Sequence, residues 1–76
     1  MNKQRREAIA KLHSQLDDIK SELETLKDEE QEAFDNMPEG LQQGERGQAC
    51  EAAADALDNA VNSIQDALDS MDEATE

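Results

Sequence analysis

Asn36-Met37-Pro38-Glu39-Gly40-Leu41-Gln42-Gln43-Gly44 is the only stretch of this 76-residue chain dense in helix breakers, and it divides the sequence in two. Pro38 disfavours helical geometry at Met37, so a helix arriving from the N-terminal side should end near Asp35 or Asn36. Gly44 is an acceptable N-cap. Glu45 then falls in the first turn of a second helix, where a negative charge favours the helix dipole. Between them, Pro38 to Gln43 has room for a single short helical turn. The expected organisation is one domain over residues 1–76, with a helix over about 4–36, a loop over 37–44 and a helix over about 45–74.

Working outward from the loop, both arms carry a heptad pattern. On the N-terminal side Ile9, Leu12, Leu16, Ile19, Leu23, Leu26, Glu30, Ala33 and Met37 alternate spacings of three and four. On the C-terminal side Gly47, Cys50, Ala54, Leu57, Val61, Ile64, Leu68 and Met71 do the same. Folding the chain back about Gly40 pairs them at a constant sum of 80, from Ile9 with Met71 to Ala33 with Gly47. The expected fold is therefore all-α, an antiparallel two-helix coiled-coil hairpin.

The two flanks of this seam read differently. On one, Arg6 faces Asp72, His13 faces Gln65, Lys20 faces Asp58 and Lys27 faces Glu51, with no repulsive pair among them. Each such exposed pair is worth only a few tenths of a kcal/mol, but together they favour one register. On the other flank Ala53, Ala60, Ala67 and Ala74 recur every seven residues. Alanine is a strong helix former and would sit there for that reason alone. The strict recurrence favours a contact surface for a second copy or another partner. A lone hairpin of this length buries little core, so we expect a homodimer that closes a four-helix bundle.

Composition removes several function classes. There are 20 Asp+Glu against 7 Lys+Arg, a formal net charge of -13, and one aromatic residue, Phe34. Residues 47–76 hold 8 acidic residues and no basic one. Such a surface repels phosphate backbones, and stacking platforms are missing, so direct nucleic-acid binding is not expected. No apolar run approaches the roughly 20 residues of a membrane span, and the polar N-terminus lacks the apolar stretch of a signal peptide. A cytoplasmic location, in a bacterial host cell, is expected.

Candidate sites are few. Glu30 occupies a seam position opposite Cys50, with Arg46 near, and these three would form a polar layer or receive a ligand. The competing account is a hairpin end open to water, with Glu30 bent outwards and Arg46 in a structural salt bridge. Cys50 reads as a small packed residue, because acidic neighbours oppose thiolate formation. His13 has Asp17 four residues on but no second base. Gly47 costs helix propensity and would be justified by close backbone approach to Ala33. No metal-ligand spacing, phosphate-cradling loop or nucleophile–base pair is present, so no catalytic residue, metal or cofactor is expected and an enzyme is not.

The segment Asp28-Glu29-Glu30-Gln31-Glu32-Ala33-Phe34-Asp35-Asn36-Met37-Pro38-Glu39-Gly40-Leu41-Gln42, followed by Glu45-Arg46-Gly47, resembles small acidic helical-hairpin proteins of phages and prophages. The resemblance covers most of the chain and would put serine where Gly44 stands. It implies a phage or mobile-element accessory protein of no assigned activity. The function expected is thus non-enzymatic binding to a host or phage protein, with inhibition of a host defence component foremost. Other readings are a scaffolding coiled-coil module, a DNA mimic built on the second-helix acids, or an oligomeric sponge for a small nucleotide signal using Arg5, Arg6 and Arg46.

Overall fold

The computed structural model describes residues 1–76 and is all-α, with α1 at Lys3–Asp35, α2 at Glu39–Gln42 and α3 at Glu45–Thr75. The two long helices have 33 and 31 residues and pack side by side in a body 58 Å long. The chain is a helical hairpin. Asn2 caps α1, its side chain accepting a 2.8 Å hydrogen bond from the Arg5 backbone N–H. No acidic residue stands in the first turn of α1 and no basic one in the last turn of either long helix. The dipole of α1 is therefore poorly complemented at both ends and that of α3 is complemented only at its start, by Glu45, at a few tenths of a kcal/mol per charge. The antiparallel arrangement compensates by setting the basic start of α1 beside the acidic end of α3.

The tip is latched. Pro38 opens α2 with an extended backbone, and its carbonyl accepts from the N–H groups of Leu41 and Gln42. Gln42 then reaches back, Nε2 donating 3.0 Å to the Phe34 carbonyl at the end of α1. Gly44 caps α3 with no side-chain bond. Gly47 is buried against α2, and a Cβ at that position would run into the backbone of Gln42. The close approach expected of Gly47 is real, but its partner is Gln42 rather than Ala33.

On α3 the packed edge follows the heptad. Gly47, Ala54, Val61 and Leu68 are buried, with Cys50, Leu57, Ile64 and Met71 half-buried beside them. On α1 the expected edge needs correction. Ile9, Leu16, Leu23, Glu30 and Met37 are half-buried, but Leu12, Ile19 and Leu26 remain 55%, 48% and 50% exposed, and Ala33 is exposed. Their places against α3 are taken by His13, Lys20, Lys27 and Phe34. Lysine stems are apolar for most of their length, so they cover core while the ammonium head stays wet. α1 is turned about its axis accordingly, and a row of large aliphatic side chains faces outwards.

The polar contacts across the hairpin shift with it. Lys20 Nζ donates to Gln65 Oε1 at 2.6 Å, Lys27 Nζ stands 3.4 Å from Asp58 Oδ1, and His13 Nε2 stands 3.1 Å from Asp72 Oδ1. Each partner lies one heptad further along α3 than the constant-sum pairing places it. The flank is the expected one; the individual partners of His13, Lys20 and Lys27 are not.

Candidate binding face

The rotation of α1 gives the hairpin two unlike long sides. One is stitched by the polar contacts of His13, Lys20 and Lys27. At 100° per residue, all eight carboxylates of residues 47–76 fall on that side of α3, within about one third of its circumference. Its opposite arc carries Ala49, Ala53, Ala56, Ala60, Ala67 and Ala74 with Ser63 and Ser70, and no charge beyond the first turn.

The second side is apolar and open. Leu12, Ile19 and Leu26 run along it on α1, and the alanine strip runs beside them on α3. A shallow groove of about 370 Å³ lies on this side in the half nearer the chain ends, lined by Leu12, Leu16, Ile19, Met71 and Gln15. Ala53 and Ala60 are half-buried, while Ala67 and Ala74 are exposed. Glu22 and Glu29 edge the leucine row on its outer side. The four alanines are visible from their spacing. Leu12, Ile19 and Leu26 are not, because the same heptad that would bury them also permits a neighbouring stripe to take their place.

Near the tip, Glu30, Cys50 and Arg46 do come together. The Cys50 thiol is half-buried. It is held above its ordinary pKa first by hydrogen bonding to the Glu30 carboxylate, then by desolvation and the Glu30 charge, with Arg46 pulling the other way. A thiol so placed is a donor to a carboxylate, the opposite of an activated nucleophile. Glu30 is itself half-buried.

At the open end a groove of about 440 Å³ is lined by Arg6, Ile9, His13, Asp17, Met71, Asp72 and neighbouring small residues. His13 Nε2 is enclosed there without a well-aligned hydrogen bond, its nearest partner being the Asp72 carboxylate. Arg5 and Arg6 belong to this end and Arg46 to the tip, so they do not converge within one hairpin. No group of three His, Cys, Asp or Glu side chains is arranged to hold a metal ion. No helix is long and apolar enough to cross a membrane. No family model matches the chain, and no curated protein or solved structure is detectably similar to it.

Proposed function

We propose that this chain is a non-enzymatic accessory protein of phage type that acts by occupying the surface of a host macromolecule, with a host defence component as the leading target. In this reading the working form is a homodimer closed into a four-helix bundle through the apolar side. The observation that carries it is the two-sidedness of the hairpin. Half-exposed Leu12, Ile19 and Leu26 leave apolar area in water on one side, and the α3 carboxylates crowd the other. A leucine fully withdrawn from water contributes about 1.5–3 kcal/mol, and roughly half of that is unrealised at each of these positions. Covering the apolar side stabilises the fold and leaves acidic walls outermost, suited to a basic protein surface.

The test is capture from bacterial lysate by the tagged full chain, run beside a variant with Asp55→Asn, Asp66→Asn and Glu73→Gln. A partner held by the wild type, released by high salt and lost with the neutralised variant is the expected result. A partner that ignores both, yet disappears with Ile19→Glu, would instead establish the scaffolding module, for which the open leucine row is the supporting observation. The absence of a specific partner in either case defeats the proposal.

A further inference from the structure

The apolar side needs a cover, and three observations on it select one. The first is relief. Leu12, Ile19 and Leu26 form a ridge of large side chains on α1, and Ala60, Ala67 and Ala74 form a trough of small ones on α3. Large against small interdigitates, whereas ridge on ridge overpacks and trough on trough leaves voids. The second is charge. Glu22 and Glu29 border the ridge, so apposing two copies of α1 would bring like charges together. The neutral arc of α3 accepts them without repulsion. The third is area. One broad side, 58 Å by 15 Å, presents on the order of 900 Å², against the roughly 800 Å² per partner of a stable standard-size interface.

We infer that the cover is a second copy of this chain, laid so that α1 of each hairpin packs antiparallel on α3 of the other. The two-fold axis then runs parallel to the helices, and both tips lie at the same end. This rests on the dimeric reading above and adds which helix meets which. An axis in that direction preserves height along the hairpin. The polar contacts set His13, Lys20 and Lys27 level with Asp72, Gln65 and Asp58. Leu12, Ile19 and Leu26, each one residue earlier, arrive within a helical turn of Ala74, Ala67 and Ala60 of the partner subunit.

Single cysteines test the arrangement in the full chain carrying Cys50→Ser, which has no other thiol. One preparation carries Ile19→Cys and a longer affinity tag; the other carries Ala67→Cys. After mixing and exchange under mild oxidation, the expected product is a disulfide between the two unlike chains, dominant over either like pair, since bridging requires Cα atoms within about 7 Å. Leu26→Cys with Ala60→Cys repeats the test should the first pair disturb folding, checked by circular dichroism. A dominant Ile19–Ile19 position disulfide in a protein that sediments as a dimer overturns the orientation while leaving the dimer intact. Sedimentation of the unmodified chain as a monomer at 100 μM-scale concentration, on the order of the loading used for weak dimers, removes the dimeric reading and this inference with it.

Discussion

A methyl group at position 47 has nowhere to go. The backbone of Gln42 occupies the space, and Gln42 is itself tied to the Phe34 carbonyl. Gly47→Ala gains about 1 kcal/mol of helix propensity but must displace backbone, which typically costs 1–3 kcal/mol and can cost more. We expect a net loss of about 1–2 kcal/mol in urea unfolding. Three residues earlier the sign reverses. Gly44 holds an extended N-cap conformation, and a side chain there would meet only ordinary van der Waals contacts. Gly44→Ser should stabilise by about 0.5–1 kcal/mol through a cap bond and a less mobile unfolded chain. At Cys50 the folded protein holds the thiol proton more tightly than the unfolded chain does. That contribution is present below the ordinary thiol pKa and is lost as pH rises through the raised one. Iodoacetamide should therefore react more slowly with the folded protein at pH 8 than with the urea-unfolded chain. Glu30→Gln should speed the folded reaction several-fold, because a larger fraction of the thiol is then ionised.

Between elements, the stitched flank holds its place more by lysine stems than by charge. Lys27 and Asp58 are both partly open to water, and exposed pairs of this kind couple by only about 0.2–1 kcal/mol. A double-mutant cycle with Lys27→Ala and Asp58→Ala should give a coupling in that range, shrinking with added salt. Lys27→Met, which keeps the stem and drops the head, should cost less than Lys27→Ala. The same physics limits how much of the packing is legible in the sequence. Pro38, the loop glycines and the two heptads make the hairpin legible, since breakers and periodicity act locally. The alanine strip is legible for the same reason. Which stripe of α1 meets α3 is not, because Leu12, Ile19 and Leu26 compete with His13, Lys20 and Lys27, and an alphabet of apolar and polar letters hides the carbon in a lysine. The partners one heptad along α3 follow from that rotation. Cys50 beside Glu30 follows from their opposed seam positions; the approach of Gly47 to Gln42 depends on how α2 folds under α3, which no periodicity records.

For the whole molecule, a net charge of -13 on 76 residues means self-repulsion outweighs the few favourable pairs. Raising sodium chloride from low to physiological strength should raise the melting temperature, even as it weakens the ion pairs of Lys27 with Asp58 and, within α1, of Lys20 with Glu24. If the apolar side is covered by a second copy, that temperature should also climb with protein concentration, and Ile19→Glu should abolish the dependence. The latched tip has a mechanical corollary. Held by its first and last residues and drawn apart, the hairpin would load its open end first and separate turn by turn, like a zip run from the loose end. On release, closure would start at the latch, where the shortest excursion of chain separates the two arms. Shortening or stiffening the segment around α2 should thus change how fast the molecule recloses far more than the force at which it begins to yield.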